Sequence, residues 1–207
     1  MGEAPQAGAP QGAQPPPGGT AEQGQDEPAP GRDAAGRVVR PARPEDVAAL
    51  DGLVRRLALD EREPDAVEAS PDDLRRALFG QDAVAGCLVA EVGGEVVGMA
   101  LWWTTYSTWR GRPGVWLEDL VVRPDERGRG HGRALLEALA LECSRRGGAR
   151  LEWSVLDWNE PARGFYAALG ASPLEDWTTW RLDRDALAAL AGRAAGAPGA
   201  TGTAAPE

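Results

Sequence analysis

The 207-residue chain contains no lysine and no isoleucine, and only one histidine and one asparagine, His131 and Asn159. Without lysine there is no phosphate-loop lysine of the Walker type and no Schiff-base chemistry. One histidine excludes a multi-histidine zinc site, and the two cysteines, Cys87 and Cys143, lack ligand-like spacing. Two thiols are also too few for a disulfide framework, which fits a reducing cytoplasm. No run approaches the roughly 20 apolar residues of a membrane span. The N-terminus, MGEAPQAGAP, has neither a basic n-region nor an apolar h-region. It also lacks the serine or threonine expected at the sixth position of a myristoylation signal. Positive charge is scarce: 22 arginines face 32 acids, a net charge of -10. That balance argues against a protein that lives on nucleic-acid phosphates. The avoided residue types read as a coding bias toward GC-rich codons, as in a bacterium.

Apolar residues are also missing locally. Residues 2–36 contain no Val, Leu, Met or aromatic side chain. Such a segment cannot offset a backbone entropy of roughly 1–2 kcal/mol per residue. Residues 1–36 are therefore expected to be a disordered tail, and the Ala/Gly/Pro/Thr stretch 192–207 another. Residues 37–191 are left as one domain with a real core.

Within that domain the hydrophobic period alternates between helix and strand. Val38–Arg40 starts a strand. Val47, Leu50, Leu53, Val54 and Leu57 recur at helical spacing behind Pro44, and Ser70-Pro71 opens a second helix. Cys87–Val92, Gly93-Gly94 and Glu95–Trp103 read as a β-hairpin. Val115–Val122 is a strand, Gly130–Arg146 an amphipathic helix and Leu151–Val155 a strand. Pro161–Leu169 is a short helix, and Trp177–Leu182 a last strand. The expected fold is α/β: a single domain with a mixed central sheet flanked by helices and disordered tails.

Three segments carry chemistry. The first is the turn Arg127-Gly128-Arg129-Gly130-His131-Gly132-Arg133 between an apolar strand and a helix. Free N–H groups at a helix start bind anions, glycines let a diphosphate approach the main chain, and arginines suit phosphate. The alternatives are a glycine-rich turn with solvated arginines and an RGG-type RNA segment, which the acidic chain disfavours. The second is Asn159-Glu160-Pro161-Ala162 with Phe165-Tyr166, where Asn159 is either a helix cap or a ligand. The third is Glu118-Asp119 inside an apolar strand, where alternation puts the two acids on opposite faces. Two adjacent acids there are costly to bury unless paired.

These blocks in order, with Arg40-Pro41-Ala42, Cys87–Val92, Trp109, Gly170-Ala171-Ser172 and Trp180-Arg181-Leu182, resemble the GNAT family of acyl-CoA-dependent N-acetyltransferases. They are most similar to its spermidine/spermine (diamine) branch, over roughly residues 38–187. The resemblance implies acetyl-CoA as co-substrate and a homodimer as often found in the family; composition and charge already point to no metal and no nucleic-acid or membrane partner. It implies that main-chain groups of Leu120, Val121 and Val122 pair with the pantetheine arm. Gly128, Arg129, Gly130, His131, Gly132 and Arg133, with Arg127, would hold the diphosphate, and Asn159, Glu160, Pro161 and Ala162 would touch the cofactor again. Glu118 would accept the amine proton, directly or through water, and Tyr166 would protonate the departing thiolate. Asp60, Glu61, Trp109, Glu118, Asp119, Glu152, Trp153, Ser154, Thr178 and Trp180 would surround the amine. Asp60, Glu152 and Thr178 depart from the branch's tyrosine, histidine and acid. The acceptor implied is a small cationic amine. A peptide N-acetyltransferase and a catalytically silent acyl-CoA-binding module are the alternatives.

Overall fold

A computed structural model describes residues 36–196. Five strands form one sheet in sequence order: β1 (Arg37–Pro41), β2 (Gly86–Val92), β3 (Glu95–Ser107), β4 (Arg112–Val122) and β5 (Leu151–Glu152). The first four pair antiparallel and β5 joins β4 in parallel, so the sheet is mixed as expected. Gly93 and Gly94 turn β2 into β3 with positive φ of 60° and 89°, which side chains disfavour. Helices α1 (Val47–Asp60) and α2 (Pro71–Phe79) precede the sheet's long hairpin, and α3 (His131–Arg145) follows β4.

Alternation along the strands gives the sheet two apolar faces. Leu50 and Leu53 of α1 bury against Cys87, Val89, Met99 and Val121 on one face, with Leu74 and Leu78 of α2 at the margin. On the other face α3 lies against β1 to β4 and buries Leu135, Leu136, Leu139 and Cys143. Gly98 allows the close approach: a Cβ there would stand 3.4 Å from Leu135 and 3.0 Å from the Val121 carbonyl. Positions 98, 100 and 102 of β3 thus face α3, and 99, 101 and 103 face α1. Arg40, buried in β1, bonds Asp46 at 2.7 Å and Glu91 at 2.8 Å and so ties the start of α1 to the sheet.

The chain forms two compact units that divide between Trp153 and Ser154. The second contains α4 (Glu160–Ala167) and α5 (Arg184–Gly196). Two expectations fail there. Residues 177–182 have no ladder and are not a strand: apolar spacing alone makes no strand without a partner. The stretch expected to be tail from residue 192 begins inside α5. Ala and Leu favour the helix, and the Asp183 carboxylate accepts the Ala186 N–H at 3.0 Å at its start. The rest of both expected tails lies outside the described residues.

Candidate active site

The site begins with one irregularity in β4. Trp102 stands opposite Leu117, and Leu101 opposite Asp119, so Glu118 is an extra residue with no opposite number. This is a β-bulge. It overturns the expectation that Glu118 and Asp119 point to opposite faces. Asp119 shares a row with Leu101 and Cys87 on the α1 face. Trp116, opposite Trp103, is on that same face, and the Trp116 indole N–H donates to Glu118 Oε2 at 3.0 Å. Both acids therefore open toward the α1 side. Glu152, opposite Trp116 on β5, joins the row.

The acids differ in surroundings. Asp119 is largely buried, and its pKa is pushed up to about 6 by burial first, then by Glu118 and Glu61. Burial and Asp60 also raise Glu61, the residue that follows α1. Glu118 is exposed. Glu152 is held by Arg150 at 2.7 Å. Asp60 stands apart. Burial would raise its pKa, but bonds from Arg56 and Arg127 outweigh that and keep it a carboxylate below the usual range. Cys87 is pushed up to about 12 by burial and by Asp119 and Asp46, so it offers no thiolate nucleophile near neutral pH.

The pairing of β4 with β5 stops just short of the bulge, where the two-residue β5 ends. That ladder stops at Trp116 and Glu152, while β4 runs on to Val122. Beyond the bulge that edge of β4 has no strand partner among the described residues. Val122 is opposite Gly98, and the Arg123 N–H donates to the Val97 carbonyl at 2.8 Å. By the alternation of an antiparallel ladder, Leu120 and Val122 turn their main-chain groups outward, whereas those of Val121 are committed to β3. Val121 is thus corrected: it serves the core, and the edge offers the main-chain groups of Leu120 and the N–H of Val122, whose carbonyl accepts from Arg127 Nε at 3.0 Å.

Beyond the edge the chain turns through Gly128 and Gly130, whose φ values of 75° and 82° are left-handed. Gly130 has no side chain to cap α3, and the first helical bond is the Ala134 N–H to the Gly130 carbonyl at 3.1 Å. The N–H groups of His131, Gly132 and Arg133 precede any intrahelical acceptor and face the turn. The arginines are already engaged. Arg127 bonds Asp60 and the Val122 carbonyl, Arg129 bonds Glu126 at 3.0 Å, and Arg133 lies 3.8 Å from Glu137. His131 is 3 % exposed, and its Nε2 is 3.1 Å from Glu126. Its ring belongs to the interior, so it cannot take part in the expected hold on a diphosphate. Only its main chain is available.

In the second unit Asn159 caps α4, its Oδ1 accepting the Ala162 N–H at 3.2 Å. The Asn159 N–H bonds the Leu156 carbonyl, the Glu160 N–H bonds that of Trp158, and Pro161 has no N–H. Asn159 through Ala162 thus retain no free main-chain donor for a cofactor, because the helix start uses them all. Tyr166 is half-buried on α4 beside Phe165, ring centroids 5.2 Å apart. Ser154 and Thr178 are exposed, and Trp180 is 90 % exposed. Trp153 is half-buried just beyond β5. Trp109, at the β3–β4 hairpin tip, is 91 % exposed and away from the acidic row. The aromatic pair that does share that row, Trp103 and Trp116, stacks at 6.0 Å and 28°. Sequence reasoning missed it. The signal was cross-strand register, which depends on the length of the hairpin turn.

The geometry has parallels among known proteins. A model of the acetyltransferase (GNAT) family matches residues 53–171. The chain is 37% identical over 167 residues to thialysine N-epsilon-acetyltransferase of Bos taurus, covering 75% of this chain and 98% of that protein. It is 30% identical over 168 residues to spermidine/spermine N(1)-acetyltransferase-like protein 1 of Homo sapiens, covering 74% of this chain and 23% of that one. Among solved structures, an integron cassette protein from the mobile metagenome of V. cholerae superposes with a TM-score of 0.65 at 24% identity, covering 75% of this chain and 97% of that one. The chain belongs to the GNAT family of acetyltransferases. No helix among the described residues is long and apolar enough to cross a membrane.

Proposed function

We propose that the protein transfers the acetyl group of acetyl-CoA to a primary amine of a small cationic molecule, a diamine, polyamine or lysine-like amine. The carrying observation is the row of Glu118, Asp119 and Glu152 with two tryptophans, on the face where the edge of β4 opens. The names of the thialysine and spermidine/spermine relatives support the same acceptor class.

The residues fit an acyl-CoA. The outward main-chain groups of Leu120 and Val122 suit an amide-bearing arm, and the uncapped start of α3 behind two left-handed glycines suits a diphosphate. Arg127 would exchange Asp60 for that diphosphate. When bound, acetyl-CoA supplies an electrophilic thioester and a thiol leaving group. Glu118, exposed at the bulge, takes the proton that an ammonium must lose before its nitrogen can attack, directly or through a water. An outward β4 N–H donates to the oxygen that gains charge. Tyr166 gives a proton to the departing sulfur. Asp119, Glu61 and Glu152 attract the cation, and holding both substrates in one cleft lowers the entropic barrier. We infer a cytoplasmic enzyme, and a homodimer on family resemblance alone.

The test is an amine screen read by thiol release. Putrescine, spermidine, spermine and thialysine should be acetylated at low ionic strength, with KM rising as salt is added. A preference for neutral amines or for peptide N-termini, without salt dependence, would defeat the small-cation assignment. Absence of thiol release with every acceptor, while acetyl-CoA still binds, would leave a silent acyl-CoA-binding module.

A further inference from the structure

Trp103 and Trp116 are not among the residues that the family resemblance assigns to the amine. They are adjacent partners on β3 and β4, both half-buried, on the α1 face of the sheet. Their centroid separation of 6.0 Å is too small to admit a guest between the rings. Any ligand must lie over the outer face of the pair. Trp116 is fixed from one side by its indole N–H bond to Glu118 Oε2. Glu118 has no other hydrogen-bond partner among the described residues, so its second oxygen stays open beside the ring. Glu152 stands on the neighbouring strand, opposite Trp116, engaged with Arg150.

An indole face and an open carboxylate at its rim are complementary to an alkylammonium. The methylenes lie on the rings, the cationic head is drawn by the ring quadrupole, and the carboxylate supplies the counter-charge. A neutral tail would gain only the apolar contact. We propose that Trp103 and Trp116 form the specificity shelf of the enzyme, selecting acceptors that carry a second positive charge on an alkyl chain beyond the reacting nitrogen. This rests on the acetyltransferase reading above and adds to it the residues that discriminate a diamine from a monoamine.

Trp103→Leu removes half of the shelf and leaves the Trp116–Glu118 bond in place. KM for putrescine should rise about five- to thirtyfold, and KM for n-butylamine less than about twofold, with kcat and acetyl-CoA affinity by calorimetry unchanged. Trp116→Phe keeps a ring but removes the N–H to Glu118. It should raise KM for putrescine less than Trp103→Leu does, and lower kcat for both amines. If Trp103→Leu fails to fold by circular dichroism, Trp103→Thr and Trp103→Met carry the same comparison. Equal KM changes for the two amines, or no change for either, would overturn the shelf. A wild-type enzyme that releases thiol with neither amine would instead overturn the acceptor assignment, a result visible before any variant is made.

Discussion

Asp119→Asn should stabilise the protein at neutral pH while weakening its use of a cationic acceptor. The carboxyl is held in a largely buried position beside Glu118 and Glu61, which lifts its pKa from the ordinary value near 4 to about 6. In the unfolded chain it ionises as usual. Between about pH 4 and pH 6 the folded chain therefore binds a proton that the unfolded chain has released, and stability falls as pH rises through that window. Below it both states are protonated and the cost vanishes; above it the cost is constant, about 3 kcal/mol. Asparagine cannot ionise, so the variant escapes the cost. Urea unfolding of both proteins at several values between about pH 4 and pH 8 gives the stability difference at each pH. That difference should move in favour of the variant by about 2–3 kcal/mol from the acid to the neutral end. The packing change made by the amide is common to every pH and drops out of the comparison. Parallel stability curves would refute the reasoning, because they would mean that Asp119 ionises alike in both states. The cost is of the kind that a functional site retains at the expense of stability.

Gly130→Asp should abolish measurable acetyl-CoA binding by calorimetry, whereas Gly130→Ala, equally strained at φ 82°, should bind more tightly than the Asp variant; equal affinities would remove the turn from the diphosphate site. Tyr166→Phe should retain acetyl-CoA affinity and lose about 10²–10⁴-fold in turnover at saturating substrates, and near-normal turnover would show that its hydroxyl is not the required acid. Asp60→Asn frees Arg127 from its acid partner. Exposed ion pairs are worth about 0–1 kcal/mol, so acetyl-CoA should bind up to about fivefold tighter, and weaker binding would show that Asp60 instead orients Arg127 for the ligand.

Much of the scaffold was legible because it follows from hydrophobic period. The helical spacing of Leu50, Leu53 and Leu57 and the alternation around Gly93-Gly94 both reflect burial against a single neighbour, which a local pattern records. What escaped depended on partners far along the chain. Residues 177–182 have a strand's composition but no neighbouring strand, and the alanine-rich stretch 184–196 folds as a helix although its composition read partly as tail. Within the site, the glycine turn and the acids of β4 were identified as candidates, yet their directions were not. A bulge adds one residue without changing the run of residue types, so alternation sent Glu118 and Asp119 to opposite faces. The buried ring of His131 and the committed main chain of Val121 were hidden for the same reason. Both lie in a motif whose composition suits a ligand, but side-chain direction and ladder phase decide which atoms are offered.

The bulge is also what joins the two halves of the proposed reaction. Counted back from Leu120 by regular alternation, Glu118 would point to the α3 face, which is apolar and where an unpaired carboxylate is costly. The extra residue sets it on the same face as Asp119, bonded by Trp116, and places an exposed carboxylate there. Just before the bulge the β4–β5 ladder has ended, so Leu120 and Val122 keep main-chain groups that a continued ladder would have consumed. One stretch of β4 thus combines an edge without a strand partner among the described residues, suited to an extended amide-bearing arm, with carboxylates turned by the bulge and suited to an ammonium. Rate acceleration by approximation requires that the thioester carbon and the amine nitrogen be delivered to a common point. In the reaction proposed above, that point would lie along a single strand packed between α1 and α3, whose backbone is in place before either substrate arrives.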